Sequence, residues 1–175
     1  MANTTFDGPV RSKNGFINIG PGMTKSLTAD TALTVQEHAG RILLLNDADG
    51  KFTLPAINVN ADSAVAGPGS DPNNLNNIGA SFYFFFETAA TDVDIKTTGA
   101  GDLFTGAILI GVNDGAKKAF VPNGSSNDVM TFNGGTKGGA VGSVVKVTAI
   151  DTNAYLVHDS LMIGSSTIET PFADA

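Results

Sequence analysis

Two short apolar runs constrain this fold more than any other part of the sequence. Residues 42–45 read Ile-Leu-Leu-Leu, and residues 82–86 read Phe-Tyr-Phe-Phe-Phe. Unbroken runs of branched and aromatic side chains are typical of β-strands that carry apolar residues on both faces. Such a strand is either covered on both sides or exposes rings at a contact. We therefore expect the two runs to be neighbouring strands at the centre of the fold.

The residues after the first run predict a β-hairpin over residues 41–54. Residues 46–50 read Asn-Asp-Ala-Asp-Gly, which are turn-forming residues, and Gly50 can adopt a positive φ without steric cost. Phe52 and Leu54 then share one face of the returning strand, because side chains alternate along a strand. We expect the turn to lie in solvent and both strands to lie in the core.

A single helical turn is predicted immediately before this hairpin. Thr34 and Glu37 have the spacing of a capping box, in which each side chain accepts a hydrogen bond from the backbone N–H of the other residue. Gly40 occupies the position of a glycine that follows a helix C-terminus. The expected helix is therefore one turn long.

The rest of the chain alternates short apolar segments with turn residues. Residues 56–79 are predicted to be a long loop, and the tail around Pro171 and Phe172 is predicted to be irregular. Further strands are predicted at 82–86, 92–97, 104–112, 117–121, 128–132, 143–150 and 155–157. The turn residues 113–115 predict a hairpin between 104–112 and 117–121, and the turn residues 151–153 predict a closing hairpin between 143–150 and 155–157. About ten short strands without amphipathic helices predict an all-β fold. We expect a single β-sandwich or jelly-roll-like barrel over residues 27–175, with an extended N-terminal arm over residues 1–26 and at most one or two short helical turns.

Strand alternation assigns individual side chains to the core or to solvent. Leu44 and Phe84 are expected to be fully buried. Lys51 and Asp92 are expected on solvent faces, where their replacement by Ala would change stability by no more than about 0.5 kcal/mol. Asp92 and Asp94 are interpreted as exposed charges that protect a sheet edge from pairing.

Composition excludes several classes of function. Cysteine is absent, so disulfides, thiolate zinc sites and cysteine nucleophiles are excluded. The net charge of −7 disfavours DNA and RNA, because an acidic surface repels phosphate backbones. No signal peptide is recognisable, and no apolar run approaches the roughly 20 residues of a membrane helix.

No candidate catalytic or metal site carries a convincing pattern. His158, Asp159 and Ser160 are adjacent, and neighbours in a strand point to opposite faces, so we expect no triad. Asp47 and Asp49 resemble part of a calcium loop, but the first and last ligand positions of an EF-hand are missing. The glycine-rich segments 99–101 and 134–139 lack phosphate-loop spacing. We therefore expect no enzyme activity, no metal and no cofactor.

Three segments resemble proteins of tailed-bacteriophage heads. Residues 5–16 (TFDGPVRSKNGF) resemble the opening of small virion proteins. Residues 33–42 (LTVQEHAGRI) and 49–56 (DGKFTLPA) resemble a module of capsid decoration (cement) proteins and head fibres, a similarity that fades after Glu87. The resemblance implies a β-rich structural protein, often a homotrimer, that is made in the host cytoplasm and binds the major capsid protein on the outer surface of the virion. It brings no catalytic residues.

The N-terminal arm carries the predicted partner-binding residues. Gly, Pro and Asn interrupt residues 1–26, so this segment cannot form a core of its own. Its apolar side chains are expected to anchor it on the capsid, and its arginine is expected to pair with a carboxylate of the major capsid protein. These residues are Phe6, Val10, Arg11, Phe16 and Ile17. The alternative that the arm closes its own domain stays open.

Two other classes of function stay open at this stage. A tail-fibre or receptor-binding knob would also be all-β and trimeric. A carbohydrate-binding β-sandwich would use the aromatic run 82–86 as a stacking platform, although this chain has no Trp. Core packing is the favoured interpretation of that run.

Overall fold

The computed structural model describes residues 20–59, 77–99, 101–112, 115–165 and 167–174. In these ranges the chain is mostly β, with a 3₁₀ turn at Pro21–Met23 and one short helix, α1, at Val35–His38. No helix in these ranges is long and apolar enough to cross a membrane. The strands are β1 Thr24–Leu27, β2 Thr31–Ala32, β3 Ile42–Leu45, β4 Lys51–Thr53, β5 Ser81–Phe86, β6 Val93–Lys96, β7 Leu103–Gly106, β8 Ile108–Val112, β9 Lys117–Phe120, β10 Val129–Phe132, β11 Val144–Asp151, β12 Ala154–Gly164 and β13 Phe172–Ala173.

The larger of two mixed sheets has eight strands in the order β1-β3-β5-β11-β12-β8-β9, with β7 also pairing with β12. β3 and β5 are parallel neighbours, with Leu43 opposite Phe84. The prediction that the two apolar runs are adjacent strands is therefore confirmed. β1 lies at the edge beside β3, so the last residues of the predicted arm belong to this sheet.

The smaller sheet has five strands in the order β13-β10-β6-β4-β2. Side chains from both sheets meet in one hydrophobic core, in which the rings of Phe86 and Phe132 lie 5.3 Å apart in an edge-to-face arrangement. The predicted irregular tail is instead β13, which pairs with β10. Six of the eleven described strand pairings are parallel, which separates these mixed sheets from the antiparallel strand pairing of a jelly roll.

The predicted hairpin over residues 41–54 is wrong. β3 pairs in parallel with β1 and β5 in the larger sheet, whereas β4 pairs in parallel with β2 and β6 in the smaller sheet. Residues 46–50 therefore connect two sheets across the core. The chain does bend at residues 48 and 49, but Gly50 is buried and does not adopt a positive φ. Local sequence does not determine which strand each flanking segment joins.

Two local predictions of turn chemistry are confirmed. Thr34 caps α1 by accepting a hydrogen bond from the Glu37 N–H, and Gly40 has a φ of 73° just after the helix. The reciprocal hydrogen bond is made by a different residue than predicted. Nδ1 of His38, and not the Glu37 carboxylate, accepts from the Thr34 N–H at 3.0 Å. The predicted hairpin of β8 and β9, and that of β11 and β12, both form.

The predicted strand over residues 104–112 is divided at Gly106. This glycine has a φ of 94°, and a Cβ there would lie 2.2 Å from the Val157 carbonyl oxygen. The break lets β7 and β8 pair with different parts of the long strand β12. A glycine in a strand that lies this close to another backbone marks such a bend.

The burial assignments require three corrections. Phe84 is fully buried as predicted, but Leu44 is only half-buried, because Leu43 and Leu45 point into the core instead. The Lys51 ammonium is not free in solvent, since it lies 2.9 Å from Asp92 and 3.0 Å from Asp94. Asp94 also accepts from the Thr131 hydroxyl, and its strand β6 lies inside the smaller sheet, so it does not protect an edge.

Candidate functional site

The larger sheet has an apolar outer surface as well as an apolar inner one. In β3, β5 and β11, every second residue is buried and the residues between them are half-buried on the opposite side. After a bulge at Asp159, the side chains of Leu161 and Ile163 in β12 also lie on the outer side of the sheet. The side chain of Leu109 in β8 lies on the same side. We define the outer apolar face as Ile42, Leu44, Tyr83, Phe85, Val144, Leu161, Ile163 and Leu109.

Strand register places the central side chains of this face in one continuous row. Leu44 lies opposite Phe85, Phe85 opposite Val144, and Val144 opposite Leu161. Leu109 extends the row, because the next residues of β12 and β8, Met162 and Ile110, are paired. With strands about 4.8 Å apart, the row is roughly 19 Å long.

Three side chains of the outer apolar face are exposed well beyond the usual level for large hydrophobic residues. Leu161 is 55%, Leu109 41% and Ile163 39% exposed. Single exposed hydrophobic residues are ordinary, but a contiguous set marks an interaction surface. The three side chains are neighbours, since Leu161 and Ile163 alternate along β12 and the pairing of Met162 with Ile110 places Leu161 beside Leu109.

A polar depression borders the outer apolar face on the side where β3 and β5 begin. It has a volume of about 310 Å³ and is open to solvent. Its lining residues come from the start of β3, from β5, from β11 and from β12: Gly40, Arg41, Ile42, Ser81, Tyr83, Lys146 and Asp159. A surface with an apolar centre and a polar border has the composition of a protein–protein interface.

A chain of hydrogen bonds crosses the sheet next to this depression. The Ser81 and Thr148 hydroxyls are 2.8 Å apart, and Thr148 lies 2.8 Å from Nε2 of His158. Nδ1 of His158 lies 3.1 Å from the Asp159 carboxylate. In a neutral imidazole whose Nδ1–H donates to Asp159, Nε2 accepts from the Thr148 hydroxyl.

A bulge in β12 explains why His158 and Asp159 converge although they are neighbours in a strand. The register with β11 shifts here, and Asp159 has a φ of 46°, the only positive value among the described residues other than glycine. The sequence argument that neighbours point apart is therefore wrong for this pair. Ser160 is turned away, since its hydroxyl donates to the Ala107 carbonyl and accepts from the Leu109 N–H.

Thr148, His158 and Asp159 are residue types that also occur in hydrolase triads. Among the described strands, the pairing around Thr148 leaves no backbone N–H donors for an oxyanion there. Acyl transfer needs N–H donors aimed at a developing oxyanion. Thr148 lies in the middle of β11, whose backbone pairs with β5 on one side and β12 on the other. The hydrogen-bonded chain therefore serves best to hold polar side chains in fixed positions beside the outer apolar face.

The acidic turn of residues 46–50 contains two neighbouring carboxylates, Asp47 and Asp49. Hydrogen bonding to Asp47 and the negative charge of that residue raise the pKa of Asp49. In the described part of the chain, no group of three or more His, Asp or Glu side chains is arranged to hold a metal ion.

The partner-binding residues predicted from sequence, Phe6, Val10, Arg11, Phe16 and Ile17, all lie outside the described residues. The sequence allowed the run 82–86 to expose rings at a contact but favoured core packing, and the structure buries Phe82, Phe84 and Phe86 while Tyr83 and Phe85 belong to the outer apolar face. The signal was nevertheless present, because the runs 42–45, 82–86 and 161–163 are apolar at every position. A strand buried on one face only would have alternated with polar residues.

Comparisons with protein-family models, with curated proteins and with solved structures give no match to this chain.

Proposed function

We propose that this chain is a virion structural protein, a capsid decoration (cement) protein of a tailed bacteriophage. In this proposal it binds the outer surface of the head, stabilises the lattice of the major capsid protein, and has no enzymatic activity. The observation that carries the proposal is the outer apolar face, whose exposed leucine and isoleucine side chains mark this chain as a subunit of a larger assembly. The two sheets would form the layers of a sandwich, a framework suited to bearing mechanical load.

The charge of the chain supports this assignment over nucleic-acid binding. The net charge is −7, so the free protein would not be drawn to the genome during assembly. The proposed partners are therefore the major capsid protein and further copies of the chain in a homotrimer. The proposed location is the capsid exterior, with no membrane contact.

Cosedimentation with undecorated capsids tests the proposal. The purified full-length protein should pellet with the capsids and saturate, and the decorated capsids should resist a higher temperature than the bare ones. A variant lacking residues 2–19 tests the predicted anchors Phe6, Val10, Arg11, Phe16 and Ile17, since all described strands remain in it. Loss of binding with an unchanged melting temperature supports anchoring by the arm. Absence of cosedimentation by the full-length protein refutes the proposed function.

A carbohydrate-binding role is the second candidate, and the polar depression is the observation that favours it. Tyr83 lies there beside Arg41, Ser81 and Asp159, and a ring among hydrogen-bonding side chains is a common way to bind a sugar. Binding to a glycan array that is lost in Tyr83→Ala would favour this role. Capsid binding without glycan binding would favour decoration.

A further inference from the structure

We propose that the outer apolar face is the contact between copies of this chain, with Arg41 of one copy paired with Asp159 of another. The inference rests on the homo-oligomeric part of the proposed function and specifies the surface that forms it. The occupant of the face is therefore a second copy of the protein.

The breadth of the face fits this occupant. Five adjacent strands contribute side chains to it, and its central row is roughly 19 Å long. A stable interface buries roughly 800 Å² per partner, with an apolar centre and a polar rim. The row from Leu44 to Leu109 would form the centre, and the polar depression would form part of the rim.

Charges beside the face complement each other within one sequence. Arg41 has no carboxylate within ion-pair distance among the described residues, although it lines the same depression as Asp159. The Asp159 side chain is 66% exposed, and its nearest lysine, Lys146, lies 3.9 Å away. One copy thus offers Arg41, which has no ion pair among the described residues, and the exposed carboxylate of Asp159, which contacts His158 and Lys146 but remains open to solvent. Between two neighbouring copies, Arg41 and Asp159 can pair.

The N-terminal segment is a poorer fit to this face than a second copy. Residues 1–19 contain Arg11 and Lys13 against a single carboxylate, Asp7, so the segment is cationic. The depression holds two cations, Arg41 and Lys146, against the single carboxylate of Asp159, so it does not attract a cationic segment. A second copy instead offers Arg41 the exposed carboxylate of its own Asp159.

Solubility gives a physical reason why copies cover this face before any capsid is met. A contiguous exposed apolar surface promotes aggregation of the free protein. A contact between copies removes the face from water as soon as the chains have folded. It leaves the remaining surface for the capsid.

The first experiment measures the mass of the free protein by light scattering and sedimentation equilibrium. The full-length chain should have two or three times the monomer mass of 17.9 kDa, three being the value that agrees with a homotrimer. Leu161→Asp should give the monomer mass with an unchanged circular dichroism spectrum. Val59→Asp is the control, since Val59 is 43% exposed but lies in the segment after β4, a strand of the smaller sheet; the mass of this variant should not change.

The second experiment is a double-mutant cycle on the proposed ion pair. Arg41→Gln and Asp159→Asn should each weaken association about tenfold, and Asn tolerates the left-handed backbone of residue 159. The double variant should lose about the same tenfold and not a hundredfold, because the second change removes an interaction already lost. Independent, multiplicative losses would show that the two side chains do not pair.

Three results would overturn the inference. They are a monomeric full-length protein, a Leu161→Asp variant with unchanged mass, and an oligomer that becomes monomeric when residues 2–19 alone are removed. Capsid cosedimentation is measured separately on the same variants. A monomer that still binds capsids would refute this contact and leave the proposed function standing, whereas an oligomer that binds no capsid would refute the proposed function alone.

Discussion

Replacing neighbouring leucines in β3 tests which face of this strand is the core. Leu43 is fully buried against the second sheet, whereas Leu44 points to the opposite side and is half-buried. Leu43→Ala removes three buried carbon atoms at about 0.8 kcal/mol each and leaves a closed cavity. The expected loss is therefore about 3–5 kcal/mol. Leu44→Ala opens to solvent without a closed cavity, and about 1 kcal/mol is expected.

Urea denaturation followed by far-UV circular dichroism gives both values. The protein is kept dilute, so that association through the outer apolar face does not stabilise the folded state. For a chain of this length a loss of 3 kcal/mol lowers the melting temperature by roughly 6–12 °C. The two variants form a matched pair, because they have the same chemistry one residue apart. Equal losses, or a larger loss for Leu44→Ala, would refute the assignment of the two faces.

Three further predictions follow from single contacts. Lys51→Met should lower the free energy of unfolding by about 1 kcal/mol, because Lys51 is paired with Asp92 and Asp94 and also donates to the Asp92 carbonyl. The control Lys25→Met breaks only the exposed 3.7 Å pair with Glu37 and should cause no measurable loss in the same urea titration. Equal losses for the two variants would contradict the reasoning. Gly106→Ala should lower the free energy of unfolding by about 2 kcal/mol or more, because the new Cβ would meet the Val157 carbonyl. Gly124 also has a positive φ but lies in open space, so Gly124→Ala should cause a loss of about 1 kcal/mol. A lower melting temperature for Gly124→Ala than for Gly106→Ala would refute this prediction. Burial lowers the pKa of His38 from 6.5, so the contribution of His38 to stability is complete above that pH and is lost as the pH falls toward the folded-state pKa. His38→Asn keeps an acceptor for the Thr34 N–H and should flatten the dependence of stability on pH between about pH 7 and 5. If the variant shows the same pH dependence as the wild type, His38 is not its cause.

Local sequence was sufficient for features that depend on near neighbours along the chain. The helix cap at Thr34, the left-handed glycine at residue 40 and the antiparallel pairing of β8 with β9 and of β11 with β12 follow from steric and hydrogen-bonding preferences within a few residues. The apolar runs identified β3 and β5, because their composition suits a pleated surface with both faces out of water. Strand existence was therefore predictable over most of the described chain.

The tertiary structure decided which strands pair and which residues face the core. β3 and β4 are separated by only five residues, yet they belong to different sheets, because parallel pairing with β5 and β6 depends on segments forty residues away. In an apolar run either alternate set can face inward, so the choice of Leu43 over Leu44 comes from register with neighbouring strands. The bulge at Asp159 likewise depends on the register of β12 with β11. Sequence determines what each segment can form, but long-range packing selects among the alternatives, since only it decides which apolar surface is removed from water.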